Sequence, residues 1–287
     1  MAVDVVIRQG GLFKKEISIQ DIVAEDLKYG IMDGAFRLVP DQVGDYTVVY
    51  DSGHLCRGME ISFEKKDINL RLPLPNSQYD IRLFYGVIQR ICQLCKVQYF
   101  YREDEKIRAD DLETIKSCVN MDITASIGAL KSIEEDIGND KYKCMTVCGV
   151  INPVDIGKKE ISQISGDLNR FGELMNRLQS MDIYYAAPRF YQMKDGKILG
   201  AYALTADVPS VIPLIPRTGM MVSEDIKVDV WNVSLVISEE EIHIVLYDDL
   251  IRFIGEREHY DADNILITLS ADEMKELAAK HGVEKHC

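Results

Sequence analysis

The stretch 77–97 constrains this chain more than any other. Wound at about 100° per residue, it places Arg82, Gly86, Gln89, Gln93 and Lys96 on one narrow stripe. Ile81, Leu83, Phe84, Val87, Ile88, Ile91, Cys92, Leu94 and Cys95 fill the rest of the circumference. A helix that is apolar over more than half its girth cannot rest on a single surface, so the pattern predicts a sheet beneath it and another segment above. Ser77 and Asp80, three residues apart, make a capping-box-like start, and Pro75 prevents an earlier one.

Strand-like text surrounds this helix. Residues 3–8 alternate, Gly10-Gly11 breaks them, and Ser18 with Asp21 predicts a short capped helix through Leu27. Residues 36–39 and 46–50 read as short strands. Residues 59–63 and 68–74 read as a hairpin that turns Ile68, Leu70, Leu72 and Leu74 to one face. A strand at 97–102 follows the helix. From 103 to 140 the text is acidic and helical, with Leu112, Ile115, Val119, Ile123, Ile127, Leu130 and Ile137 at helical spacings, which suits a connector. Residues 143–151 suit a central strand that Pro153 ends, and Ile161 to Leu178 define a second long amphipathic helix. Strands at 183–192 and 198–206, a hairpin over 226–237 and 242–247, a short helix over 248–258, a strand at 264–269 and a capped helix from Ser270 complete the chain. The expectation is α+β: two α/β-sandwich-like subdomains, 1–104 and 141–287, joined by a helical connector over 105–140. Each would be a mostly antiparallel sheet packed against one long amphipathic helix.

Charge and cysteine usage narrow the function. Asp and Glu number 47 against 33 Lys and Arg, a formal charge of −14 with the bases dispersed among the acids. That disfavours nucleic acid, whose phosphates need a basic surface, and it would steer a basic protein. No apolar run approaches the roughly 20 residues that span a bilayer, so no membrane partner is expected. The opening residues carry an acid at position 4 and no signal-peptide core, which predicts a cytoplasmic protein. Seven cysteines, an odd number set in apolar runs, predict reduced buried thiols.

Three constellations could carry chemistry. Cys92 and Cys95 have the two-residue gap of redox and zinc pairs. They lie near a helix C-terminus, where the dipole disfavours a thiolate, and they lack two further ligands at a suitable spacing, so core thiols are the plainer reading. Asp51, His54 and Cys56 share the glycine-bounded loop 51–58, where His54 could serve as a base to a Cys56 nucleophile; an ordinary turn explains the same residues. The acids 239–241 and 248–249 suit a hairpin turn and a helix start. The proline-rich stretch 208–221 reads as a stiff extended loop that Pro209, Pro213 and Pro216 keep out of a sheet interior; it either folds onto the core or offers Val211, Ile212, Leu214, Ile215 and Met220 as a binding surface.

The opening block over 5–21, Val-Val-Ile-Arg-Gln-Gly-Gly-Leu-Phe-Lys-Lys-Glu-Ile-Ser-Ile-Gln-Asp, and the closing block from Tyr247-Asp248-Asp249-Leu250 through Tyr260-Asp261-Ala262 to Leu269-Ser270 resemble a family of uncharacterised bacterial proteins known only as a domain of unknown function. The resemblance implies a bacterial cytoplasmic origin and carries over no active-site residue. Taken together, these features point to a binding protein without a cofactor, guarding against or regulating a basic protein partner, or associating with itself. The alternative is a hydrolase or transferase that uses the His54 and Cys56 loop on a small substrate.

Overall fold

A computed structural model describes residues 1–9, 16–23, 26–218 and 227–283. The Gly10-Gly11 pair, Met220 and Met221 of the proline-rich stretch, and the terminal His286 and Cys287 lie outside the described residues. The fold is α+β, and its contacts divide the chain into two compact units, 1–180 and 181–287. The division thus falls after Ser180 rather than at 104 and 140.

In the first unit, β1 (Ala2–Arg8) and a four-residue helix, α1 (Ile19–Ile22), precede β2 (Leu27–Met32), β3 (Leu38–Pro40), β4 (Thr47–Asp51), β5 (Met59–Glu64) and β6 (Asp67–Pro73). Helix α2 (Gln78–Cys95) leads to β7 (Tyr99–Arg102) and β8 (Glu105–Arg108), then to the long α3 (Leu112–Gly138). The hairpin β9 (Cys144–Cys148) and β10 (Pro153–Gly157) and the helices α4 (Lys158–Ile164) and α5 (Leu168–Gln179) close the unit. Eight strands form one antiparallel sheet in the order β3-β2-β4-β5-β6-β1-β7-β8. The pairs Val3–Leu72, Val5–Leu70 and Ile7–Ile68 set six buried side chains side by side.

β6 and β7 both run antiparallel to β1, so α2 is the crossover between them and lies across the three strands. α3 and α5 pack on its other sides. Ile81, Phe84, Val87, Ile88, Ile91 and Cys92 are accordingly buried, while Arg82, Gly86, Gln93 and Lys96 stay exposed. α3 is therefore no free connector. Its inner face, from Ile115 and Cys118 to Ile133 and Ile137, belongs to the first unit.

Local departures from the sequence reading have local causes. α1 stops at Ile22 because Val23 is already extended, and Leu27 opens a strand instead of closing a helix. Gly30, which hides that strand from a propensity reading, lies where an added Cβ would come within 2.5 Å of the Val39 carbonyl. The second long helix is two helices: Ser165 and Gly166 take positive φ, and Asp167 caps α5 by accepting from the Asn169 amide at 2.7 Å. Pro153 begins a strand, where its missing N–H costs nothing to an inner ladder. The expected central strand at 143–151 is one arm of a two-stranded hairpin.

The second unit contains β11 (Tyr184–Tyr185), β12 (Arg189–Gln192), β13 (Ile198–Thr205), β14 (Ser210–Pro213), β15 (Val230–Val236) and β16 (Ile242–Leu246). The helix α6 (Tyr247–Ile254), the strands β17 (Glu258–His259) and β18 (Asn264–Ile267), and the helix α7 (Ala271–His281) follow. Two four-stranded sheets result, β11-β14-β18-β17 and β12-β13-β15-β16, each with one parallel pair. Its helices have 8 and 11 residues, so the long amphipathic helix expected here is absent among the described residues; both long helical patterns lie in the first unit.

The proline-rich stretch is corrected most. β14 runs inside a sheet, between β11 and β18, with Val211 and Ile212 fully buried. The prolines permit this because Pro209 precedes the strand and Pro213 is its last residue, where its carbonyl accepts the Tyr247 hydroxyl at 2.5 Å. Leu214 is half-buried against the core, and Ile215, 66% exposed, is the one binding candidate among the described residues that faces solvent.

Three substitutions test these placements. Ile88→Ala, at the centre of the covered helix, should lower unfolding free energy by about 2–5 kcal/mol in urea denaturation; a loss below about 1 kcal/mol would misplace the core. Ile212→Asp should cost several kcal/mol or prevent folding, whereas Ile215→Asp should stay within about 0.5 kcal/mol of the parent. Equal effects at the two positions would contradict the strand.

Candidate functional site

β4 ends at Asp51, and the chain rejoins the sheet only at Met59. The intervening loop lies against the N-terminus of α2. The Asp51 Oδ1 accepts the Gly53 amide at 2.7 Å, and its carbonyl accepts the His54 amide at 3.1 Å, which closes the turn. Leu55 donates its amide to Asn176 Oδ1 at 2.8 Å, and the Cys56 carbonyl accepts from Gln179 Nε2 at 2.6 Å and from the Val150 amide at 2.9 Å. Gly58 sits at φ +62° with the Val49 carbonyl 2.8 Å from where a Cβ would lie, so the return to the sheet demands glycine.

Asp80 fixes the other side of the loop. Ser77 caps α2 by accepting the Asp80 amide, but the Asp80 carboxylate does not complete the box. Its Oδ2 instead accepts the amides of Arg57 at 3.2 Å and Gly58 at 3.0 Å, and its buried Oδ1 has no hydrogen-bond partner among the described residues. Burial pushes this carboxyl up to about 6, against the two amide bonds, and the charge of Asp51 adds to the rise.

On the outer side, the Tyr79 hydroxyl donates to the Asp51 carboxylate. The His54 ring stacks on the Tyr79 ring with centroids 3.8 Å apart and planes 13° from parallel, and His54 Nδ1 lies 3.5 Å from Asp51 Oδ2. Burial would raise the Asp51 carboxyl, but the Tyr79 hydroxyl, the Gly53 amide and His54 together hold it below the usual carboxylate range. The hydrogen bond to Asp51, partial burial and the charges of Asp51, Asp26 and Asp80 push Tyr79 up to about 12.

The catalytic set read from the sequence is thus only half assembled. Asp51 and His54 meet, with His54 57% exposed in its side chain. Cys56 points into the core, and burial followed by the charge of Asp80 pushes its thiol far above the ordinary value, the opposite of what a nucleophile needs. Cys92 is also buried, its thiol pushed up to about 12 by desolvation and by Cys95, and no three His, Cys, Asp or Glu among the described residues are grouped to hold a metal ion. The turn acids are structural, since Ser238 Oγ accepts the amides of Glu240 and Glu241. No helix among the described residues is long and apolar enough to cross a membrane.

A family model described as a domain of unknown function, DUF4299, matches residues 2–277. The chain belongs to that family. No curated protein and no solved structure matches it. The DUF4299 match spans far more of the chain than the two blocks that carry the resemblance, and its description assigns no site, so the geometry alone singles out Tyr79, Asp80, Asn176 and Gln179. Two of these leave a trace in the sequence. On the α2 wheel Tyr79 falls on the polar stripe with Arg82, Gly86 and Gln93, and Asp80 falls on the apolar arc with Phe84, Val87 and Ile91. Asn176 and Gln179, on a separate helix, leave none.

Asp80 carries a pH signature. The folded state holds its proton more tightly than the unfolded chain, so the stability it contributes is full below the ordinary value of 3.8 and is lost as pH rises through about 6. Asp80→Asn keeps an acceptor for the two amides and cannot ionise. Between about pH 4 and pH 7 the parent should therefore lose up to about 3 kcal/mol relative to the variant. Urea denaturation of both proteins across that range reads the difference directly, and a difference that stays flat would mean Asp80 titrates as an ordinary carboxylate.

Proposed function

We propose that this protein acts by binding, and that what it holds is a basic protein, in an inhibitory, immunity-type or regulatory role. The charge of −14 carries the reading, because a surface so rich in acids attracts and orients a cationic protein before contact. Part of the surplus lies on the turn and strand β8 and on the start of α3, where the exposed Glu103, Asp104, Glu105, Asp110, Asp111 and Glu113 outnumber the exposed Lys106, Arg108 and Lys116. The state of Cys56 favours binding over the hydrolase or transferase alternative, since a buried thiol held protonated is a poor nucleophile beside an exposed histidine. The buried thiols of Cys56, Cys92 and Cys118 suit a reducing cytoplasm.

The test has two arms. Immobilised protein should capture the basic fraction of a proteome sorted by isoelectric point, with association slowing as salt is raised beyond physiological strength; equal capture of acidic proteins, or salt-independent association, would defeat the reading. Native Cys56 should be alkylated far more slowly than the same residue in denatured protein, and rapid native labelling would restore the enzyme.

A further inference from the structure

We propose that the stacked His54 and Tyr79 rings are the anchor for an arginine side chain of the basic partner, an inference that rests on the binding reading above. The pair is an aromatic platform held open to solvent: Tyr79 is 37% exposed, and His54 covers one face of it at 3.8 Å with its own side chain more than half exposed. The surrounding charge is negative. The exposed Asp26 and the buried Asp51 and Asp80 beneath the rings all act on the Tyr79 hydroxyl, and Asp51 Oδ2 lies 3.5 Å from the imidazole Nδ1. Arg57, the cation of the loop itself, does not offset them at the surface, because it turns inward and donates from Nε to the Cys148 carbonyl at 2.9 Å and from Nη1 to the Pro75 carbonyl at 3.0 Å.

A flat cation suits this site better than a round one. A guanidinium is planar and weakly hydrated, so it can lie on an aromatic face while its N–H edge reaches a neighbouring carboxylate. An ammonium is compact and strongly hydrated, and it gains less from leaving water for a ring. The platform is also set before the ligand arrives. Asp80 holds the loop through the Arg57 and Gly58 amides, Asn176 through the Leu55 amide and Gln179 through the Cys56 carbonyl, so little ordering remains to oppose binding.

Titration calorimetry with nona-arginine and nona-lysine tests this, because equal peptide charge cancels the long-range attraction and leaves the side-chain chemistry. The parent should bind nona-arginine about three- to tenfold more tightly than nona-lysine. Tyr79→Ala should bring the two peptides to equal affinity, and His54→Ala should do the same. Tyr79→Phe, which keeps the ring and releases Asp51 from the hydroxyl, should retain the preference. Unfolding midpoints of the variants check that each is folded, and the phenylalanine variant separates a lost platform from a disturbed helix start. If the parent shows no preference, or if Tyr79→Ala keeps it, the arginine anchor is wrong while binding to basic chains stands. If neither peptide binds the parent, the binding reading itself falls and the anchor with it.

Discussion

The first unit depends on one constraint, that α2 must be hidden almost all the way round. A crossover helix between two strands that flank β1 is covered by the sheet on one side only. Its apolar arc is wider than that, so the chain must supply two more walls, α3 and α5. α5 comes in through a small residue. Gly172 of α5 lets Ser77 come so near that an added Cβ would lie 2.9 Å from the serine Cβ. The same approach brings Asn176 and Gln179 within reach of the loop after β4. The loop's geometry is therefore a consequence of how α2 is enclosed.

Enclosure at this density leaves polar groups inside, and most are answered; among the described residues of this unit, the buried side-chain atoms without a hydrogen-bond partner are Asp80 Oδ1 and Arg102 Nε. Asp122 of α3 is fully buried, with Arg102 Nη2 at 2.5 Å and the Tyr85 hydroxyl at 2.6 Å, so β7, α2 and α3 meet at one carboxylate. Removing one member would strand the rest, at a cost on the order of 3–5 kcal/mol for a broken buried pair. Ser126, one helical turn along, accepts the Asn76 amide at 2.7 Å and donates to its carbonyl at 2.9 Å, which ties α3 to the turn before α2. These polar ties fix where α3 lies along α2, which apolar contacts alone specify poorly because they are nearly indifferent to small slides.

What the sequence made legible follows from this division. Periodicity found the sheet face of Ile68, Leu70 and Leu72 and the buried arc of α2, because burial there repeats at the period of the element. It also found the capping boxes at Ser18 and Ser270, which are local hydrogen bonds written in adjacent residues. It misread α3 as a connector because two of its seven buried residues, Asp122 and Ser126 in the middle of the helix, are polar, and a polar inner turn looks like a solvated one. It misread 208–221 because proline was weighed by its count and not by its place at the ends of a four-residue strand. The candidate site was legible only in part: Asp51 and His54 are neighbours in sequence, but their partners Tyr79 and Asp80 sit on a helix some 25 residues on, and Asn176 and Gln179 on another beyond that.

The split within the loop then decides what kind of site it can be. Leu55 and Cys56 are drawn inward, Leu55 into a small cluster with Val48, Tyr50 and Val150, and this leaves His54 facing water. A nucleophile and its base must share a face, and here the core claims one of the two. The side chains left at the surface are an imidazole and a phenol, held by the buried Asp51 carboxylate beneath them, with no activated atom among the three. Such a group has little to offer a covalent mechanism. It has a great deal to offer a planar cation, because its charge, its aromatic faces and its immobility are settled before anything binds.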